Sequence, residues 1–215
     1  MTDSAMLPAI KAAIRANEIG PQSPYKLSFA KKGNSGASYG VFQNDTYANR
    51  TALTTLTQIL TSAGLPADQV QRISGLLGRP CPTDPLSATD EAAVNAALAS
   101  PGGQAQVDAL DSAQLQIVTG YLDQALAASA APVDGDAQLA ICLWCNMTGK
   151  PTTLMTWLRG ASVTQGGGTV APPGNPVSLA DMTRYLKATQ FFVQNPGNWA
   201  HFSNSVAAGV PLLPS

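Results

Sequence analysis

The segment that decides the fold runs from Leu7 to Asp45. It reads LPAIKAAIRANE over residues 7–18 and IGPQSPYKLSFAKKGNSGASYGVFQND over residues 19–45. In the first part, Leu7, Ile10 and Ile14 recur at the spacing of one helix face. Glu18 follows Ile14 by four residues and shares that face. The pattern predicts an amphipathic helix that ends on Glu18, with a carboxylate on its core-facing stripe.

Glu18 is the first candidate for chemistry. A carboxylate at the end of a buried stripe loses hydration, which raises its pKa toward the range of a general acid. The alternative is that Glu18, as the last residue of its helix, turns out to solvent. Only Glu18 and Glu91 are glutamates among the 13 acidic residues, so glutamate is not the usual surface acid of this chain.

A small hairpin is predicted after Glu18. Two X-Pro pairs at residues 20–24 end the helix. Residues 25–30 alternate with period two, the segment from Lys31-Lys32 to residue 36 has turn composition, and residues 37–42 can return as a second strand. If this strand continues to Phe42, the following Gln43 and Asp45 project to the same side.

These residues carry a resemblance to a known family. A Glu at a helix end, a Gly-rich hairpin and then Ser-Tyr-Gly-Val-Phe-Gln-Asn-Asp at residues 38–45 resemble the catalytic helix and hairpin of goose-type lysozymes and family-23 lytic transglycosylases. Residues 40–43 read Gly-Val-Phe-Gln where the family has Gly-Leu-Met-Gln. Residues 139–151 are similar to the family's apolar helix that ends in Ala-Tyr-Asn-Ala-Gly. The resemblance covers about residues 6–160.

The chain departs from the family pattern at several positions. Ile19 follows the Glu where the family has Ser, Cys145 stands where it has Tyr, and residues 146–149 are one residue longer than Asn-Ala-Gly. Chitosanases and hairpin-bearing chitinases share the same helix and hairpin. The resemblance therefore indicates the fold and the catalytic Glu more closely than it indicates the sugar.

The resemblance implies a mainly α, lysozyme-like fold with a small β-hairpin after the catalytic helix. It implies cleavage of a β-1,4-linked amino-sugar polymer, with peptidoglycan as the expected substrate, and Glu18 as general acid. The substrate would contact the hairpin at Tyr39, Gly40 and Gln43 and the apolar helix at Asn146. Tyr185 stands by position where the family has a late Tyr near the Glu, although it also fits an ordinary core stripe.

The second catalytic group is open at this stage. An inverting hydrolase needs another carboxylate to activate water, whereas a lytic transglycosylase uses the substrate's own hydroxyl. Asp45 is the nearby candidate for the first mechanism, because the Lys31-Lys32 tip has no acid. Asp45 could equally be the N-cap of a helix over residues 46–60.

Two other functions remain as alternatives. One is a chitosanase-like or other polysaccharide hydrolase of the same superfamily. The other is a glycan-binding, lysozyme-like protein without activity. The N-terminus lacks the basic start and apolar run of a signal peptide. We therefore expect a wall-degrading enzyme that reaches an extracellular or periplasmic polymer by another route, such as a phage endolysin or a virion-associated lysin.

The rest of the chain predicts one domain of helices, with a core over about residues 6–160. Helical spacing or capping residues occur at 51–79, with a break at 64–66, and at 87–99, 108–129, 137–145, 151–160 and 179–192. Residues 101–103 read as a loop. Residues 161–177 read as a Gly/Pro-rich loop, and residues 178–215 as a helical segment that packs back on the core.

Composition limits the partners. Only 12% of residues are charged and the net charge is -1, so no basic field for nucleic acid is present. No apolar run is long enough to cross a membrane.

Cys142 and Cys145 have the spacing of a zinc or redox half-site but are expected to be core residues. His201 is expected to be structural or on the surface. We expect a monomer with no metal and no cofactor.

Overall fold

The computed structural model describes residues 2–31, 33–150 and 152–214. Lys32, in the predicted hairpin tip, and Pro151, at the start of a predicted helix, lie outside the described residues. The chain forms two compact units, which we call the first unit (Met1–Asn17 and Leu115–Ser215) and the second unit (Glu18–Gln114). The structure is mainly helical with small antiparallel sheets, which confirms the coarse fold class predicted from the sequence.

The elements follow one another in a simple order. The helices are α1 (Leu7–Glu18), α2 (Arg50–Ser62), α3 (Ala67–Leu77), α4 (Ala88–Ala99), α5 (Pro101–Ala128), α6 (Gly135–Thr148), α7 (Thr152–Leu158), α8 (Leu179–Ala188), α9 (Gln190–Gln194) and α10 (Asn198–Gly209). The strands are β1 (Ser28–Phe29), β2 (Ala37–Tyr39), β3 (Asn44–Asp45), β4 (Val163–Gln165) and β5 (Gly168–Val170). Short 3-10 helices cover Ser4–Met6 and Val210–Leu212.

Helix α1 ends on Glu18, as the sequence predicts. Its buried face consists of Ala9, Ile10, Ala13 and Ile14. Helix α10 approaches this helix closely, since a Cβ at Gly209 would stand 2.6 Å from the carbonyl oxygen of Ala9. The two helices can therefore pack with almost no side chain between their backbones at this point.

Helix α6 is the most buried helix of the first unit. Residues 139–145 are all buried, and helices α8 and α10 of the C-terminal segment pack on α6. The sequence predicts one helix over residues 179–192, but the structure has two helices that are separated at Thr189. Thr189 is extended, with ψ 149°, and its hydroxyl donates to the carbonyl of Leu186 at 2.6 Å, which caps the end of α8.

The segment at 161–177 differs from the predicted loop. It contains the antiparallel hairpin β4–β5, in which Val163 pairs with Val170 and Gln165 pairs with Gly168. Gly168 takes φ +110° in the tight turn, a conformation that glycine adopts without steric cost. The run of glycines therefore makes a hairpin turn rather than a flexible connection.

In the second unit a three-stranded antiparallel sheet has the order β1-β2-β3. Ser28 pairs with Ser38, and Ser38 pairs with Asp45. The predicted second strand is shorter than expected, because it ends at Tyr39, and the third strand was not predicted. Helices α2, α3 and α4 and the start of α5 supply the apolar core beneath the sheet.

Two helix starts correct the sequence analysis. Helix α5 begins at Pro101, so residues 101–103 form its first turn and not a loop. Gly103 is required there because a Cβ would collide with the carbonyl of Ala97. Helix α2 begins at Arg50, where Asn49 is the N-cap and accepts from the amide of Thr51 at 3.0 Å. The prediction that Asp45 caps a helix starting at residue 46 is therefore wrong.

Candidate active site

Glu18 is half-buried at the last position of α1. The end of this helix is held within the first unit by His201, whose Nε2 lies 2.8 Å from the carbonyl oxygen of Asn17. Directly after Glu18 the chain turns, because the amide of Gln22 donates to the carbonyl of the buried Ile19 at 3.1 Å. The carboxylate thus stands at a fixed change of chain direction, partly shielded from water.

Residues 40–43 form a tight turn that joins β2 to β3. Gly40 has φ +81° and Gln43 has φ +49°, so both ends of the turn lie in the left-handed region. The amide of Gly40 donates to the carbonyl of Pro24 at 2.8 Å, and the amide of Gln43 donates to the carbonyl of Gly40 at 3.2 Å. The turn is therefore fastened to the segment that follows Glu18.

A buried carboxylate on α5 organises this turn. Asp111 is 6% exposed, and its Oδ2 accepts from the amide of Val41 at 2.7 Å. Its Oδ1 accepts from Asn44 Nδ2 at 2.9 Å and, over a longer distance of 3.4 Å, from the amide of Phe42. A Cβ at Gly40 would stand 2.6 Å from Oδ1, so the carboxylate can come this close only because residue 40 is glycine.

The environment of Asp111 raises its pKa above the ordinary value. Burial is the largest cause, and the nearby charge of Asp108 acts in the same direction. The hydrogen bonds from Val41, Phe42 and Asn44 favour the charged form and oppose this shift. The groups that bond this carboxyl are neutral amides, so its charge is balanced by dipoles rather than by a cation.

Gln43 is predicted to contact substrate, and its side chain is already engaged in the turn. Its Nε2 donates to the carbonyl of Gly40 at 3.3 Å, while its Oε1 accepts from the hydroxyl of Ser28 at 2.5 Å. An amide nitrogen has two hydrogens, so one remains for another acceptor. The side chain is half-buried and is held in one orientation by β1 and the turn.

Tyr39 is the predicted contact residue that lies deepest. It is fully buried, and its hydroxyl donates to the carbonyl of Ala52 at 2.6 Å. Burial raises the pKa of this hydroxyl strongly. We therefore assign the Tyr39 side chain to the core under the sheet and not to a substrate surface.

Asp45, the predicted second catalytic group, accepts several hydrogen bonds from the backbone. Its Oδ2 accepts from the amide of Gly36 at 2.9 Å, and its Oδ1 accepts from the amides of Tyr47 and Ala48 at 2.7 and 2.9 Å. The side chain closes the loop between β3 and α2. Strand β2 stops before Gln43, so strand alternation no longer supports the expectation that Gln43 and Asp45 share one side.

The remaining predicted site residues belong to the first unit. Asn146 is half-buried near the end of α6. Tyr185 on α8 is 2% exposed, and its ring centroid lies 4.8 Å from that of Trp157. Burial raises the pKa of Tyr185 to about 12, against a smaller lowering by its hydrogen bond to Gln165. Their participation in one site with Glu18 stays a prediction.

Tyr185 also lines an open groove of the first unit with a volume of about 340 Å³. The aromatic side chains of Trp144 and Phe191 line this groove, together with several hydroxyl and amide groups and Lys150. A surface of this kind can stack on and hydrogen-bond to a polar ring. Tyr185 therefore reaches a concave surface despite its burial.

The two cysteines of α6 are core residues. Cys142 and Cys145 are buried, and burial raises the pKa of both thiols, that of Cys145 to about 12. A thiol with a raised pKa stays protonated, and a protonated thiol is a poor nucleophile and a poor metal ligand. In the described ranges, three or more His, Cys, Asp or Glu residues nowhere gather in an arrangement suited to a metal ion. The helices described here are too short or too polar to cross a membrane.

Asp111 is the site residue that the sequence analysis missed. The signal was available, because Val107, Asp111 and Leu115 follow one another at i, i+4 and i+8 on the apolar stripe of α5. The same type of signal, an acid on a buried helix face, led to Glu18. What the sequence could not provide was the partner of Asp111, a turn about 70 residues earlier in the chain.

No model of a protein family, no curated protein sequence and no solved structure matches this chain.

Proposed function

We propose that this protein cleaves the glycosidic bonds of a β-1,4-linked amino-sugar polymer, with peptidoglycan as the expected substrate and Glu18 as the general acid. The proposal rests on one observation above the others. Glu18 ends a helix half-buried, and the segment that follows it is hydrogen-bonded to the Gly40 turn. This arrangement joins an acid of restricted hydration to a preorganised backbone turn in the second unit.

In the proposed reaction, Glu18 gives its proton to the glycosidic oxygen as the bond to the anomeric carbon breaks. Positive charge then develops on the sugar ring, in an oxocarbenium-like transition state. The turn of residues 40–43 would hold the sugar, because its backbone is fixed by Asp111 and its Gln43 side chain by Ser28. A fixed surface orients the substrate without an entropic cost at the moment of reaction.

For the second step we propose that the substrate's own hydroxyl attacks the anomeric carbon and gives its proton to the Glu18 carboxylate formed in the first step, as in lytic transglycosylases. Both oxygens of Asp45 already accept backbone amides, which supports a structural role for this carboxylate. The hydrolytic alternative uses Asp45 to activate water and requires a separation of about 6.5–9.5 Å from Glu18. Product ends distinguish the two mechanisms, because an anhydro-sugar end is lighter by one water than a hydrolytic end.

The test is a panel of purified peptidoglycan, chitin and chitosan, incubated with the protein and analysed for new sugar ends by mass spectrometry. We expect cleavage of peptidoglycan with anhydro ends. Cleavage of chitosan alone would instead support a chitosanase-like enzyme. Binding without cleavage of any of the three polymers would contradict the proposal and support a glycan-binding protein.

A further inference from the structure

A second concave surface in the second unit lies outside the proposed active site. Two adjoining cavities of about 450 and 430 Å³ run between α2 and α3 and share Thr57 and Ser74 as lining residues. We call this surface the α2–α3 groove. One end is marked by Tyr47 and Arg50, and the other by Leu65. Helix α2 rises by about 1.5 Å per residue, so the groove is much longer than one sugar ring.

The groove presents a row of hydroxyl oxygens that can accept hydrogen bonds. The hydroxyls of Thr54, Thr57 and Thr61 donate to the carbonyls four residues earlier in α2, at 3.0, 2.9 and 2.8 Å. Because each hydroxyl hydrogen is used within the helix, Thr54 and Thr61 keep the lone pairs of their oxygens for a ligand, whereas the oxygen of Thr57 also accepts from Ser74 and keeps one. Ser74 of α3 lies 2.9 Å from Thr57 across the floor of the groove. The floor is therefore rich in acceptors, which suits a ligand with many hydroxyl donors.

At the Tyr47 end, the groove carries the aromatic ring of Tyr47 and a hydrogen-bond donor, the guanidinium of Arg50. Tyr47 is 46% exposed, a high value for a large aromatic side chain in this protein. Its backbone is fixed, because its amide donates to Asp45 Oδ1 at 2.7 Å and a Cβ at Gly36 would stand 2.7 Å from its nitrogen. Among the described residues that line the groove, Arg50 carries the only charge. An exposed aromatic ring beside hydroxyls and amides can stack on the apolar face of a sugar.

We infer that the α2–α3 groove is a non-catalytic binding site for an uncharged glycan chain. Sugar hydroxyls fit the row of acceptors and the single guanidinium of Arg50. The exposed ring of Tyr47 would stack on a sugar at one end of the glycan. A cationic glycan is disfavoured, because its ammonium groups meet Arg50 and no carboxylate among the described lining residues. The inference goes beyond the proposed cleavage reaction and stands on different residues.

The test uses calorimetric titration of a soluble N-acetylglucosamine oligomer into the full chain carrying Glu18→Gln, so that the probe is not consumed. In this background, Tyr47→Ala should weaken one binding event about tenfold, the scale of removing an anchoring aromatic residue. Tyr47→Phe, which keeps the ring, should retain most of the affinity. Thr54→Val should weaken binding about threefold, since one acceptor is lost.

Thr156→Val is the matched control. Thr156 is also exposed and also donates to the carbonyl four residues earlier, at 3.2 Å, but it lies on α7 outside the groove. Its substitution should leave glycan affinity unchanged. Amide NMR shifts on α2 should move on titration, which gives a readout that needs no variant.

Equal affinity in the parent and in Tyr47→Ala, absence of glycan-induced shifts on α2, or displacement of the glycan by an uncharged peptide would each overturn the inference. The last result would indicate a protein partner. A higher affinity for a chitosan oligomer than for the acetylated oligomer would also overturn the inference. None of these results depends on whether Glu18 is the general acid, because cleavage is measured separately with the wild-type chain.

Discussion

Two buried aspartates of the second unit satisfy their carboxylates in different ways. Asp90, at the start of α4, is 4% exposed and accepts from both terminal nitrogens of Arg72, at 2.6 and 2.9 Å, and also from Gln69 and Ser87. These hydrogen bonds, with that of Arg72 the largest cause, hold the pKa of Asp90 well below its usual range. Asp111, at 6% exposure, is bonded by neutral amides of the turn, and burial raises its pKa.

The difference separates a structural role from a positioning role. Asp90 is bonded by Arg72 and Gln69 of α3 and by Ser87, the N-cap of its own helix, so its charge stabilises the contact between α3 and α4. The partners of Asp111 are amides of Val41 and Phe42 in the turn of residues 40–43, to which we assign the sugar. A buried carboxylate without a cationic partner is costly even when neutral amides bond it. Asp111 offsets this cost by fixing the backbone of the turn at Val41 and Phe42.

The largest expected effect is that of Asp111→Ala. This substitution leaves the amides of Val41 and Phe42 and the side chain of Asn44 without their shared acceptor, at a cost of about 2–4 kcal/mol in the free energy of unfolding. We expect urea denaturation to show this loss, and polymer cleavage by the remaining folded protein to fall as well.

Arg72→Ala is the matched variant for the other aspartate. It should lower stability while the folded protein keeps its cleavage rate, because the Arg72–Asp90 pair does not touch the turn. A loss of stability below about 0.5 kcal/mol in Asp111→Ala, or an equal loss of cleavage rate in both variants, would end the distinction between the two aspartates.

The next effect concerns the glycine that admits Asp111. Gly40 and Gly64 both have φ +81°, but a Cβ at Gly64 meets nothing within 4 Å, whereas one at Gly40 meets Asp111. Gly64→Ala should therefore lower the free energy of unfolding by about 1 kcal/mol, the strain of placing an alanine in the left-handed region. Gly40→Ala should cost at least about 1 kcal/mol more, because the carboxylate must move. Equal costs in thermal or urea denaturation would show that the close approach is unimportant.

The smallest expected effect is that the contributions of the two aspartates to stability change with pH in opposite directions. The pKa of Asp90 is lowered by folding, so its stabilisation is present above the unfolded value, about 3.9, and is lost as pH falls. The pKa of Asp111 is raised, so folding carries a penalty above its folded value that disappears as pH falls. The loss in the free energy of unfolding caused by Asp90→Asn should thus grow between pH 3 and pH 7. The loss caused by Asp111→Asn should shrink over the same range. Urea denaturation at both pH values measures the slopes, and equal signs would contradict the assignment.

Much of the helical framework follows from the sequence, because apolar spacing directly reflects a buried face. Helix α1 ends on Glu18 as its stripe predicts, and α4 begins after Ser87, whose hydroxyl accepts from the amide of Asp90 at 3.1 Å. Helix α6 is buried almost all round, as its composition indicates. These features depend on residues close together in the chain.

The features that the sequence did not predict depend on how one element packs against another. Residues 101–103 have loop composition, yet they are helical because Gly103 packs against the carbonyl of Ala97. The turn of residues 40–43 has strand-forming Val41 and Phe42, yet Asp111 holds their amides in a turn. Local preference therefore gave the Glu18 end of the candidate site, while the turn required knowledge of tertiary contacts.

The most direct test of the account is the cleavage rate of the full chain carrying Glu18→Gln. The amide keeps the size of the carboxyl but cannot give the proton, so we expect the rate to fall at least about a hundredfold while stability and glycan binding are nearly unchanged. Glu91→Gln is the control, because Glu91 is the other glutamate of the chain and lies in the first turn of α4. It should cleave at the wild-type rate. A Glu18→Gln rate within about tenfold of wild type would contradict the central claim that Glu18 is the general acid.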